Sequence, residues 1–300
     1  MADIEMDERT VMEKTSTESQ KMQKASTGCM QKPLLDREWV RHHDDLKADT
    51  PIMRFMPRKY FLEMIKTCRN TLMHVSNWAD VYEGLIYKQK YFTMDVVNNE
   101  KSPVSLLKLY GGFLGQCWTK AKYDSELLWN ARCPNKDGVC IKTTYGRLSA
   151  SVERIMPSDY LRACCRLDKV VYWDEALLNK RVKEIAADAL ASSDALVDLF
   201  FVKRNSFRDE NEVRLLYFRD NGDSNSPSTR GFYAKTELVQ YEISKDAFLT
   251  EVVLDPRMSV DECQAIKCAV CKANWRCNGT PLQVNQSSLY KATVNEIFLR

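Results

Sequence analysis

Glu210, Glu212 and Arg214 stand at every second position of the segment RDENEVRLLYF. The neighbouring Val213, Leu215, Leu216, Tyr217 and Phe218 favour a strand, and on a strand residues two apart share a face. Two carboxylates and a guanidinium on one face are costly to bury unless they pair, bind something polar or meet water. The segment is therefore the first place to look for a binding or catalytic site. The plain alternative is a solvated edge strand carrying an intrastrand ion pair.

Two further constellations use the same residues. Asp80, Glu83, Glu210 and Glu212, with Lys203 beside them, offer hard oxygen ligands for a divalent cation, the arrangement of metal-dependent nucleases. Four converging carboxylates repel one another unless a cation lies between them. Alternatively the cluster is an ion-pair network that fixes a sheet, in a sensor or partner-binding module. Cys263, Cys268, Cys271 and Cys277 invite a zinc reading, but the first three fall within one helical segment. They are expected to pack a helix face as small apolar residues, and no metal is predicted. A chain with 3 histidines has few candidates for histidine-centred acid-base work, and no nucleophile elbow is present. Gly111, Gly112 and Gly115 lack the spacing of a phosphate-binding loop.

A chain of 300 residues with 44% hydrophobic and 28% charged content can bury a full core without staples. A formal net charge of +3 is too near balance to argue for a nucleic-acid footprint. The 11 cysteines, including the adjacent Cys164 and Cys165, read as reduced thiols of a cytoplasmic protein. No basic-then-apolar leader opens the sequence, and no run reaches about 18 apolar residues, so membrane insertion is not expected. Residues 1–50 are expected to form a flexible polar tail and linker, with His42 and His43 in a charged surface stretch; residues 51–300 form one domain.

The elements that must position the candidate site follow from periodicity. YFLEMIKTC has helical spacing and TLMHVS alternates like a short strand. Further strands are expected at 113–118, in GVCIKTT after the turn signal Pro134 to Gly138, and in KVVYW, KTELVQYEI, EVVLDP and 281–287. RVKEIAADALASSDALVDLFFVK carries an amphipathic helix, DNGDSNSPSTRG is a loop, and Ser259 caps the helix of DECQAIKCAVCKANWR. Trp118, Trp129 and Trp173 are expected as core anchors. The sum is an α+β fold, with a mainly antiparallel β core flanked by helices.

Laid out in this way, residues 52–290 resemble the bacterial family catalogued as domain of unknown function 2971. MRF at 53–55 is similar to the family's opening Tyr-Arg-Tyr-like strand, and LMHVSNWADVYEG to its strand, acidic loop and Glu-Gly end. LLWNARCPNKDGVCI, VVYW and FVKRNSFRDENEVRLL resemble, in order, its Gly-Val-Cys-Ile strand, Val-Tyr element and Glu-x-Glu-x-Arg block. Asn77 to Asp80 departs from the family's Phe-Asn-Asp-Pro-like loop, and Asn130, Ala131 and Arg132 stand in place of its Tyr-Ala element.

More distantly, Arg54, Ser76 and Glu212 in that order resemble the arginine, serine, glutamate triad of ADP-ribosyltransferases, which cleave the nicotinamide bond of NAD. The resemblance implies NAD as substrate and an ADP-ribosyltransferase-like fold. It implies that Arg54 neutralises the pyrophosphate and that Ser76 orients the nicotinamide ribose or Glu212. Glu212 would stabilise the oxocarbenium-like charge, and Glu210 would position or deprotonate a protein or nucleic-acid acceptor. Tyr82 or Trp78 would stack on the leaving ring, and Arg214 would join the cofactor contacts. On this reading Glu212→Gln abolishes NAD turnover and leaves folding intact.

Overall fold

Residues 46–78, 80, 82–85, 90–94, 100–104, 112–155, 165–188, 197–218, 232–235 and 238–291 are described by a computed structural model. The expected tail up to residue 45, His42 and His43 with it, Cys164, and all of the DNGDSNSPSTRG loop lie outside the described residues.

β1 (Pro51–Pro57) runs directly into α1 (Arg58–Thr67), whose buried Phe61, Met64 and Ile65 make the apolar stripe read in the sequence. Cys68, in the left-handed region, ends the helix, and β2 (Arg69–His74) carries the chain back. Outside the main sheet β3 (Tyr91–Met94) pairs with β4 (Lys101–Val104), β8 (Val171–Trp173) with β9 (Val202–Arg204) and β14 (Arg276–Cys277) with β15 (Thr280–Pro281); the hinge of the architecture is β5 (Phe113–Lys120). β10 (Glu212–Phe218) covers one of its edges along the whole length, from Glu212 opposite Thr119 to Phe218 opposite Phe113.

Two strands share the other edge. β2 pairs with Leu114 and Gly115, whereas β1 pairs with Thr119 and Lys120. A strand has two hydrogen-bonding edges, so β1 and β2 must part company across Gln116, Cys117 and Trp118. The sheet is split there.

Beyond β2 lie β12 (Leu238–Glu242) and β11 (Phe232–Lys235); beyond β1 lie β6 (Gly138–Thr144), β13 (Glu251–Leu254) and β16 (Val284–Gln286). β7 (Cys165–Lys169) covers the far edge of β10. Within this sheet only the β13 and β16 pairing is parallel among the described residues, as the α+β expectation required. The expected last strand at 281–287 is two pieces, β15 (Thr280–Pro281) and β16.

Alternation sorts the sheet's side chains into layers. Trp118, Val213, Leu215 and Leu167 enter the main core, which α3 (Tyr145–Ile155) and α5 (Val260–Lys272) cover with Leu148, Val152, Ile266 and Val270. The opposite face of β5 and β10 gives Phe113 and Leu216 to a second cluster with Phe200, Phe201 and residues of α4 (Glu175–Asp188). A third cluster joins Met53, Phe55 and Cys140 to Trp129 of α2 (Glu126–Arg132).

Trp118 and Trp129 are buried as expected, while Trp173 is half-buried against the second cluster. Ser259 caps α5 through a reciprocal capping box with Glu262. On that helix Cys263 is buried but Cys268 and Cys271 are exposed, which corrects the expectation that all three pack inward. Among the described residues no helix is long and apolar enough to cross a membrane.

Candidate active site in the split of the sheet

A cavity of about 180 Å³ lies at the split, and Arg54, Gln116, Trp78, Arg132, Lys203 and Glu212 are among its lining residues. Arg54 and Gln116 belong by alternation to the main-core side of the sheet, whereas Glu212 belongs to the opposite side. In an unbroken sheet these two sets are separated by the backbone. The divergence of β1 from β2 lets both reach one space.

Arg54 projects into the gap from β1, and its Nη1 donates to Asn70 Oδ1 at 3.1 Å. Asn70 is fixed in turn by Gln116 Nε2 at 2.8 Å and donates to the Tyr241 hydroxyl at 2.9 Å. Trp118 Nε1 donates to Gln116 Oε1 at 2.9 Å, so each polar side chain in this floor is satisfied by another. No carboxylate pairs with Arg54 among the described residues. Burial pushes its pKa down, and the nearby Arg132 works in the same direction. Because a guanidinium stays protonated in proteins, the disfavoured charge persists at the cavity floor, where an anion would relieve it.

The other wall is the reverse case. Arg214, fully buried, donates from Nε to Glu212 Oε1 at 2.5 Å and from Nη2 to Glu212 Oε2 at 3.0 Å. Its remaining donors meet Glu83 and the Phe200 carbonyl, and the Trp78 ring lies 4.2 Å from the guanidinium. Lys203, on β9 (Val202–Arg204), places its ammonium 2.7 Å from Glu210, 3.3 Å from Glu83 and 3.4 Å from Glu212. Arg132 reaches Glu210 at 3.0 Å. Three carboxylates thus meet three cations, and Arg54 is the charge left over.

Burial alone would raise the Glu212 pKa, but Arg214 and Lys203 outweigh it and hold the carboxyl at about 2. Burial would lower that of Lys203, but Glu212, Glu83 and Glu210 push it up to about 12. Glu212 and Lys203 are therefore both charged at neutral pH. Three of the four carboxylates weighed as metal ligands do converge, but they converge on the Lys203 ammonium, which takes the central position a divalent cation would need. Asp80 instead pairs with Arg204 at 2.7 Å.

The expectation that Glu210, Glu212 and Arg214 share a strand face is corrected in part. Asn205–Glu210 is a 3-10 turn, Asn211 follows with φ 41°, and the strand begins only at Glu212. Asparagine tolerates that left-handed geometry, and it breaks the alternation. Glu212 and Arg214 do share a face and pair there, while Glu210 arrives from the turn.

Arg214 has its donors spent internally and is not on the cavity wall. Ser76 is exposed in the turn Val75–Asn77, its hydroxyl 2.6 Å from His74 Nδ1, outside the cavity lining. Tyr82 donates to Glu175 and lies beneath the Arg204 guanidinium at 4.4 Å, also outside the lining. Trp78 does form part of the wall. Its approach depends on Gly115, where an added Cβ would stand 2.5 Å from Trp78 Cζ2. Sequence reasoning misses Asn70 and Gln116, and marks Arg132 only as a departure from the family pattern. Gln116 had a readable signal, a lone amide inside the apolar run FLGQCW.

No protein-family model matches the chain, that of the domain of unknown function 2971 included, and no curated protein matches it. Solved structures of DarT from Thermus sp. 2.9 are similar at 7% identity. The complex with NAD+ covers 81% of this chain and 97% of its own at a TM-score of 0.35. The complex with ADP-ribosylated ssDNA covers 81% and 96% at 0.33, and that with carba-NAD+ covers 80% and 97% at 0.34. A likeness this loose carries no argument about activity.

Proposed function

We propose that the cavity binds NAD and that the protein cleaves the bond between nicotinamide and ribose, passing ADP-ribose to water or to a protein or nucleic-acid acceptor. The observation that carries this reading is an uncompensated guanidinium, Arg54, facing the same cavity as an ionised, buried carboxylate, Glu212. A guanidinium fork fits pyrophosphate oxygens, and the desolvation cost it bears when empty is relieved on binding.

A cavity of roughly 150 Å³ is known to admit benzene, so about 180 Å³ suits the nicotinamide ring with part of its ribose. The adenosine half then lies at the mouth, and Trp78 supplies an aromatic wall for the ring. As the bond breaks, its electron pair moves onto the nicotinamide nitrogen and positive charge develops at the ribose carbon. Glu212 is a fixed negative charge for that transition state. The incoming oxygen bonds to the ribose carbon and its proton passes to a carboxylate; the candidate is Glu210, which is not itself on the cavity lining but is paired with the lining residues Arg132 and Lys203.

A second reading, a sensor that holds the dinucleotide uncleaved, is favoured by the cationic partners that each cavity carboxylate already has. Incubation with NAD, with nicotinamide followed by chromatography and binding by calorimetry, separates the two. Release of nicotinamide supports the enzyme, binding without release supports the sensor, and neither overturns both. Glu212→Gln is expected to slow release by about 100-fold or more. Since Glu212 anchors Arg214 and Lys203, the same change is also expected to cost stability. The folded fraction is therefore read in parallel by near-ultraviolet circular dichroism.

A further inference from the structure

Arg132 and Lys203 hold Glu210 in unequal ways. Both contact the same oxygen, Oε2, Lys203 at 2.7 Å and Arg132 at 3.0 Å. The Lys203 side chain is 6% exposed and is bound by two more carboxylates, whereas that of Arg132 is 39% exposed and has Glu210 as its only ion pair among the described residues. An ion pair on the water side contributes little and exchanges readily. Lys203 is the fixed partner and Arg132 the exchangeable one.

Arg132 ends α2 and lines the same cavity as Arg54. Two guanidiniums therefore line one small space, an arrangement that a doubly charged anion would relieve. The side chain is long enough to trade one oxygen ligand for another without moving the helix, since its chain carries several rotatable bonds.

We infer that Arg132 is an exchangeable latch: it covers Glu210 while the cavity is empty and moves to the diphosphate of an entering nucleotide, alongside Arg54, thereby uncovering Glu210. The binding half of this inference needs only a diphosphate; the uncovering half rests on the NAD reading above. With Arg132 withdrawn, Glu210 loses one of the two cations on Oε2 and becomes the better proton acceptor. The acceptor or water oxygen then bonds to the ribose carbon, the carbon–nitrogen bond to nicotinamide breaks with its electron pair left on the ring nitrogen, and the acceptor's proton passes to Glu210. The base is freed only when a diphosphate is in place, so Arg132 acts as a positioning residue for chemistry it does not perform.

The test uses inorganic pyrophosphate as a binding probe and NAD as substrate, on the full chain. Arg132→Gln is expected to weaken pyrophosphate about tenfold, as is Arg54→Gln, while Arg132→Lys stays within about threefold of wild type. In NAD hydrolysis Arg132→Gln is expected to raise KM about tenfold while kcat rises rather than falls, because Glu210 is already uncovered. Unchanged pyrophosphate affinity in Arg132→Gln, or no pyrophosphate binding by the wild type, overturns the latch. So does a fall in kcat at constant KM, the signature of a merely structural role. If wild-type protein releases no nicotinamide, the NAD reading fails by itself, and the pyrophosphate titration still decides for or against Arg132.

Discussion

Arg54 Nη1 and Asn70 Oδ1 are joined at 3.1 Å across the split between β1 and β2, and this neutral amide is the guanidinium's hydrogen-bond partner where a carboxylate would be usual. Every other cation around the cavity has an acidic partner. The asymmetry separates a group kept for a ligand from groups kept for the fold.

Arg54→Gln therefore should not destabilise the protein. Removing an uncompensated charge while keeping a side chain that can bond Asn70 is expected to leave stability within about 0.5 kcal/mol of wild type or to raise it. Urea unfolding checks this, and a loss of several kcal/mol would mean that Arg54 is a structural residue.

Arg214 is predicted to behave in the opposite way. Its guanidinium satisfies Glu212, Glu83 and the Phe200 carbonyl at full burial, so Arg214→Met leaves two buried carboxylates to share the more distant Lys203 ammonium. A loss of about 3–5 kcal/mol is expected, measured by the same unfolding experiment. Retained stability would show that water reaches the cluster.

The pH dependence has a definite sign at each end. Glu212 is held at about 2 against an ordinary 4.5, so its contribution is complete above pH 4.5 and is lost as pH falls through 2. Lys203 is raised to about 12 from 10.5, so its contribution is complete below pH 10.5 and is lost as pH rises through 12. Denaturation across a pH series should show Glu212→Gln with a flatter acid limb than wild type. Parallel limbs would place the acid sensitivity on other carboxylates.

Gly115→Ala tests the wall of the cavity. The new methyl would press on Trp78, which is confined by Arg214 and Phe200, so the ring cannot yield cheaply. A cost of about 1–3 kcal/mol and a shift in tryptophan fluorescence are expected. An unperturbed spectrum would show that the ring has room to move.

The parts legible in the sequence are those encoded locally. The stripe of α1, the strand GVCIKTT with its bounds at 138–144, and the Ser259 cap each follow from neighbours within a few residues. The candidate pair Arg54 and Glu212 was also visible, though only through a resemblance. The split that brings them together was not, because it depends on β1 and β2 competing for one edge of β5, a relation among distant segments. Alternation misplaced Glu210 because one left-handed residue, Asn211, resets the face. Ser76, Tyr82 and Arg214 fitted the order of the chain but not the wall of the cavity, since sequence order carries no information about which side of a broken sheet a side chain reaches.

The most direct test is a calorimetric titration of NAD into the wild-type protein and into Arg54→Gln of verified fold. Wild type is expected to bind, and the variant to bind about tenfold or more weakly while being no less stable. Equal affinities, or no binding by the wild type, would contradict the assignment of the cavity to a dinucleotide.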